Sequence, residues 1–360
     1  MPKEARSEFV DSTYTGKYGQ LRVLMTSFLT GDFIEQLEQK EPDEFLKALS
    51  GTTYRKEIDA FSGLYKGADL VEVVLNSHAM NTVRNAYIAL PPLARDFVVA
   101  YTSRYDVENI KLILSSKKLN YSVESTEMFL MVHRNVPVGV ISGPISMEEY
   151  KAIIAQKDIE GVVDALARHG YGTILLKFLD QTLKTGDISE MVVALDLAYY
   201  ERLKAALRFY TGNEGLLFEY VKEQIDVKNV MSVLKAIEVG YKDVGSYLVK
   251  GGNMADSKLI EMASKKIDDL RNDMPFKVDE AFEVYKRDPY LTYFEAALRS
   301  AMLRKYLKLF DESAISLAYI MAYIIRAEIE RDELRLAWTN RYYGVSKERI
   351  ENLKVLKHLQ

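Results

Sequence analysis

The side chains best suited to chemistry are thinly spread along this chain. Its four histidines, His78, His133, His169 and His358, have no second histidine or carboxylate pair at a metal-binding spacing such as H-E-x-x-H. His133 lies in an apolar stretch, and an ordinary structural or surface role is expected for all four. Cysteine is absent, which excludes disulfides, thiolate metal sites, iron–sulfur clusters and cysteine nucleophiles. A phosphate-binding loop needs a glycine-rich turn ending in Gly-Lys-Ser or Gly-Lys-Thr, because backbone N–H groups cradle the phosphates and the lysine reaches them. The one Gly-Lys step, Gly16-Lys17, runs into Tyr18, and no G-x-G-x-x-G occurs. No catalytic residue, cofactor or metal site is therefore assigned, and no nucleotide is expected to bind.

Two acid–amide pairs remain, Asp106 with Asn109 and Asp226 with Asn229. Such a pair can serve a ligand. It can equally be structural, with the aspartate favouring a helix start and the asparagine bonding to a neighbouring helix or facing solvent. Recurrence of the pair points to the structural role. Aromatics offer a second ambiguity among the 24 tyrosines. Tyr199-Tyr200, Tyr319, Tyr323 and Tyr342-Tyr343 suit either interface anchors or core positions whose hydroxyls reach water.

The elements that carry these residues are expected to be helices. Gly (19) and Pro (8) are scarce over 360 residues, while 48% of the chain is hydrophobic and 28% charged. Few breakers over such a length favour long helices, and the length suggests two or three units. The net charge of −4 argues against a general nucleic-acid binder. The most apolar helical stretch, Ser313–Ile325, falls short of the roughly 20 residues a bilayer demands and ends at Arg326. The run from Met128 to Ile145 is broken by His133, Arg134, Asn135, Pro137 and Pro144. No signal-peptide pattern opens the chain. A soluble protein is expected, held at any membrane by something else.

Two patterns repeat in one order. DEFLKALSGTTY (Asp43–Tyr54) returns as EGVVDALARHGY (Glu160–Tyr171) and as DEAFEVYKRDPY (Asp279–Tyr290), at spacings of 117 and 119 residues. Each opens on an acid, which suits the positive end of a helix dipole, and closes on a tyrosine. YDVENIKLIL (Tyr105–Leu114) returns as IDVKNVMSVL (Ile225–Leu234), and more weakly as AEIERDELRL (Ala327–Leu336), at spacings of 120 and 102. Val107, Ile110, Ile113 and Leu114 in the first copy, and Val227, Val230, Val233, Leu234 and Ile237 in the second, form an apolar helical stripe. Asp332 and Arg335 interrupt it in the third copy, so that helix either turns another face inward or is not a true copy. The pattern divides the chain into three similar helical units, Met1–Ser125, Thr126–Gly245 and Ser246–Gln360. The linkers would be Asn135–Ser146, with a short extended start, and Val249–Ser257, where Gly251-Gly252 should stop a helix.

The same residues carry a family likeness. The opening Thr13–Leu37, with Tyr14, Tyr18, Arg22, Val23 and Leu29, resembles the first helix of the C subunit of A-type (archaeal-type, V-type) ATP synthases, a family that includes the d subunit of the eukaryotic vacuolar ATPase. ALSGTTY and RYDVENIKLIL, the latter from Arg104, resemble its next landmarks. Glu328, with Arg331 or Arg335, matches a Glu and an Arg of its last helix. The resemblance covers the whole chain and weakens towards the C-terminus. It implies an all-α fold of three similar helical units with pseudo-threefold symmetry, shaped as a funnel. It implies a non-catalytic central-stalk (rotor) component, linking the central shaft, made of the D and F subunits, to the membrane proteolipid ring and transmitting torque for ATP-coupled ion transport. The implied location is the cytoplasmic face of the cell membrane, as a peripheral protein. Hydrolysis would belong to other members of the complex. The alternative is a helical-repeat scaffold for protein–protein interaction, although a repeat of about 118 residues far exceeds the 20–50 of familiar solenoids. An enzyme whose site forms only in three dimensions would lack any motif here.

Overall fold

The computed structural model describes residues 15–121, 132–133, 136–137, 145–207 and 214–355. Tyr14, His358, the Ser125/Thr126 boundary and most of the Asn135–Ser146 linker lie outside the described residues.

Helices make up nearly all of what is described, as the scarcity of breakers predicts. Five lead off the chain after α1 (Thr15–Met25): α2 (Gly31–Glu38), α3 (Pro42–Leu49), α4 (Arg55–Phe61), α5 (Gly67–Ala89) and α6 (Pro92–Lys118). The only strand pairing among the described residues joins Val132–His133 to Val136–Pro137, antiparallel. It agrees with an extended start to the first linker. There follow α7 (Met147–Ile154), α8 (Ile159–Ala165), α9 (Gly172–Thr185), α10 (Ser189–Leu207) and α11 (Glu214–Val239). The last run is α12 (Asp256–Met262), α13 (Asp279–Arg287), α14 (Thr292–Glu312), α15 (Leu317–Tyr343) and α16 (Lys347–Leu353).

Local chemistry sets many of these bounds. Ser146 and Glu149 form a capping box at the start of α7, each satisfying a backbone N–H that the helix leaves bare. Thr30, Asp158 and Ser316 cap α2, α8 and α15 in the same way. Gly186 and Gly344 close α9 and α15 with φ of 69° and 66°, a conformation in which a side chain would clash.

The helix order follows the repeats. Two short helices, a tyrosine, and a set of helices ending in a long one occur three times. The first two runs have three helices after Tyr54 and Tyr171, whereas the third has two between Tyr290 and the end of α15. One missing helix accounts for the spacing of 102 in place of 120. Tyr54 and Tyr171 are buried immediately ahead of α4 and α9, but Tyr290 is 51% exposed. Its ring lies beneath the Arg349 guanidinium instead. The third tyrosine thus does not share the burial of the other two.

The long helices do not pack only within their own runs. α6 lies against α8 and α10, α11 against α12 and α14, and α15 against α2, α3 and α5. Each is therefore part of the core of the next run, and the last returns to the first. The apolar stripe is what enters. Val107, Ile110, Ile113 and Leu114 are buried with α7–α10, while Val230, Val233 and Leu234 are buried with Leu259, Phe282 and Phe294. In α15 the inserted residues are Leu334, Ala337 and Trp338, buried with Phe45, Leu49 and Tyr54 of the first run.

Candidate functional site: the junctions of the long helices

The acid–amide pairs do not start helices. Asp106 and Asp226 sit in the middle of α6 and α11, which corrects the capping role expected for them. Each binds the segment that leads into the following run. The two backbone N–H groups of Asn253 and Met254 donate to Asp226, at 3.0 and 2.9 Å. Asn229 both donates to the Val249 carbonyl (2.9 Å) and accepts from the Val249 N–H (2.8 Å). Gly252 lets the backbone come this close, because a Cβ there would collide with the Asp226 carboxylate. On α6, the Tyr150 hydroxyl donates to Asp106 at 2.6 Å, and Lys117 donates to the carbonyls of Ile154 and Gln156 at 2.7 and 2.5 Å. Burial drives the Asp106 carboxyl up to about 7, with the Tyr150 hydroxyl and the Ile145 backbone N–H opposing it. Asp226 is also raised by burial, against the pull of Met254 and Asn253.

On α15 the equivalent stretch is charged and buried. Glu330 accepts from the backbone N–H of Leu29 and, at 2.8 Å, from the Tyr54 hydroxyl. Burial raises its carboxyl in spite of both donors. Two positions earlier, Arg104 of α6 and the hydroxyls of Tyr105 and Tyr101 all donate to Glu328. Arg299 and Arg331 bracket Asp332 at 2.9 and 2.7 Å. Burial works to raise the Asp332 carboxyl, yet the two guanidiniums outweigh it and hold it well below the usual carboxylate range. Arg335 grips Glu72 of α5 with two nitrogens, at 3.1 and 2.7 Å. Arg341 pairs with Glu41, and Lys354 with Glu38 at 2.5 Å. Asp332 thus pairs within the third run, with Arg299 and Arg331, while half-buried Arg335 reaches across to Glu72 of the first.

A cavity of about 320 Å³ opens where α6, α11, α14 and α15 meet, lined by Tyr101, Arg104, Tyr220, Gln224, Arg299 and Glu328 among others. Its charged groups are largely committed to one another, as Arg104 to Glu328 and Arg299 to Asp332. Such an arrangement fixes helices in register. Among the described residues no group of three or more His, Cys, Asp or Glu is placed to hold a metal, and no helix is long and apolar enough to cross a membrane.

The residues singled out by type fall as follows. His78 bonds Glu57 at 3.3 Å and stacks on Tyr54, and His169 lies 3.6 Å from Glu149. His133 belongs to the short strand pair. Gly16-Lys17 lies within α1, not in a loop. Tyr199, Tyr319 and Tyr323 are buried, the last two beneath the rings of Tyr18 and Phe28. Tyr342 and Tyr343 are exposed. Glu330 escaped notice in the sequence because its partners lie some 300 residues away; no local spacing marks it.

Residues 18–353 match the ATP synthase (C/AC39) subunit family. The chain is 35% identical to the A-type ATP synthase C subunit of Thermoplasma volcanium over 354 residues, covering 96% of this chain and 99% of that protein. The C subunit of Thermoplasma acidophilum is equally similar over the same shares. That of Methanocaldococcus jannaschii is 26% identical over 329 residues, 89% of this chain and 78% of that one. Matched over residues 18–353 and 35% identical to the two Thermoplasma relatives along nearly its whole length, this chain belongs to the ATP synthase (C/AC39) subunit family.

Proposed function

We propose that this protein is the non-catalytic central-stalk component of a rotary A-type ATP synthase, joining a shaft of D and F subunits to the proteolipid ring and carrying torque for ATP-coupled ion transport. The observation that carries the reading is the closed cycle of junctions: α6 enters the second run, α11 the third and α15 the first. A like step taken three times that returns to its start is a rotation without net translation. Three similar units, near Met1–Ser125, Thr126–Gly245 and Ser246–Gln360, then surround one axis as a funnel. A connector between two rotating parts needs such an axis, since an off-centre body would wobble.

The ends of the long helices give this ring a contact face. Leu119 with Tyr121 follows α6, Val239 with Tyr241 closes α11, and Tyr342 with Tyr343 closes α15, and all are exposed. They stand at matched distances along the chain from Asp106, Asp226 and Glu328. Three such points suit a partner that is itself repeated about the axis, as a proteolipid ring is. With no spanning helix among the described residues, attachment at the cytoplasmic face depends on such a surface.

The test is reconstitution into liposomes with and without the chain. ATP hydrolysis should persist in its absence while ATP-driven ion uptake is lost. Undiminished uptake would show that the chain is not the coupler and would favour a scaffold role. The isolated chain should neither hydrolyse nor bind ATP. Saturable micromolar binding in a calorimeter would overturn this expectation, which rests on the missing phosphate-loop motif.

A further inference from the structure

The three junctions differ in one respect that bears on how the ring yields. Two of them bridge segments that follow one another along the chain: Asp106 to Tyr150 and Asp226 to Asn253 span 44 and 27 residues. The third, Glu330 to Leu29, spans 301 residues. It is also built differently. Leu334, Ala337 and Trp338 of α15 share a small core with α2, α3 and the first turns of α5, separate from the large core that holds the later part of α5 and the start of α15. Around that small core run the Glu330 bonds and the pairs Arg335–Glu72, Arg341–Glu41 and Lys354–Glu38.

We propose that α15 is a latch on the first unit: Glu330 and the Leu334–Trp338 stretch hold α2–α4 against the third unit, and release of this contact opens the ring at this junction alone. The first unit lacks three of its own core side chains until α15 supplies them. The Glu330 carboxylate is the point of least tolerance. It is 5% exposed, and it satisfies a backbone N–H and a tyrosine hydroxyl that would otherwise be left unpaired on withdrawal from water. Loss of this one acceptor therefore leaves two donors of the first unit, the Leu29 N–H and the Tyr54 hydroxyl, without their partner. Of the ion pairs around the apolar core, Arg335–Glu72 and Arg341–Glu41 reach solvent and hold weakly in water, while Lys354–Glu38 is buried. The later part of α5 stays on α15 through Val83, Ala86 and Leu90 in the large core, so the motion is a swing of α2–α4 and not a loss of the unit. A ring with one yielding wall and two fixed ones would grip or release an axle at that wall. This last step rests on the rotary reading above; the latch itself does not.

The test is hydrogen exchange of the full-length chain, with Glu330→Gln and the milder Tyr54→Phe. Glu330→Gln keeps the shape but removes the charge, and Tyr54→Phe removes one donor. Amides in 31–61 should exchange about tenfold faster in Glu330→Gln and less so in Tyr54→Phe, while those in 172–207 change less than about twofold. Because the chain has no cysteine, spin labels can be placed at exposed Glu35 and Lys308 through introduced cysteines. A second, longer distance population should appear in Glu330→Gln. Unchanged exchange in 31–61, or equal acceleration in 172–207, would overturn the latch. These measurements use the isolated chain, so their failure is distinct from a failure to couple in liposomes.

Discussion

α11 and α15 do the same job with opposite chemistry. Both are long helices that insert into a neighbouring run, and both carry an acid that takes a backbone N–H from its leading segment. α11 does this with Asp226 and the neutral Asn229, above the apolar stripe of Val230, Val233 and Leu234. α15 surrounds its acid with Glu328, Arg331, Asp332 and Arg335. The difference follows from chain connectivity. The entropy of closing a loop grows with its length, so a contact spanning 301 residues costs about 2 kcal/mol more to form than one spanning 44 or 27. The tethered junctions need few bonds to hold. The untethered one has many, and most are charge-assisted and therefore directional.

The largest effect should come from the part the junctions share. Leu234→Ala should cost about 2–5 kcal/mol, because the site is fully buried between α12 and α14 and cannot collapse easily. A thermal melt matching wild type would mean that the stripe does not carry the α11 junction. Gly252→Ala sharpens the comparison. Its methyl would collide with the Asp226 carboxylate, so the clasp must open and the bonds to Asn253 and Met254 be lost, at about 1–3 kcal/mol. Gly31→Ala, at the first position of α2 and two residues beyond Leu29, should cost less than half as much by chemical denaturation. Equal costs would make the two junctions alike after all. Asn229→Ala comes next. It leaves both polar groups of buried Val249 unpaired, for about 1–2 kcal/mol in urea unfolding. A change within error of zero would show that water replaces the amide freely.

These regions also differ in how plainly the sequence displays them. The helical class, the stripe and the order of the repeats are local, so periodicity and recurring motifs reveal them. Val230 and Leu234 are legible because an amphipathic helix must bury one face whatever lies against it. The role of Asp106 and Asp226 is not. An aspartate that caps a helix and one that clasps a segment 27 or 44 residues on look alike, since only the partner differs. Asp332 and Arg335 read as breaks in a stripe because their compensating charges, Arg299 and Glu72, belong to other helices. Tyr290 kept the repeat's spelling but not its burial, since the third run has one helix fewer to cover it.

The smallest effect is a matter of sign. Asp106 titrates near 7 in the folded chain, raised by burial, against about 3.9 when unfolded. Between those values the native state keeps a proton that the unfolded state has released. Its stability must then fall as the pH rises from about 4 to 7. The full shift would set a ceiling of about 4 kcal/mol, and relaxation of the surroundings about the ionised carboxylate should reduce the realised change to about 1 kcal/mol. Asp106→Asn fixes the neutral form while keeping an oxygen to accept from the Tyr150 hydroxyl. Its stability relative to wild type should therefore climb across this window, close to or below wild type at pH 4 and above it by pH 8. Asp226→Asn should behave otherwise. Both Asp226 oxygens accept from backbone N–H groups, and an amide nitrogen in place of one would face a donor with a donor. That variant should be destabilised at every pH. Urea unfolding of both variants at pH 4, 6 and 8 separates the cases. Coincident curves for the two substitutions would mean that the α6 and α11 clasps hold their carboxylates in the same way.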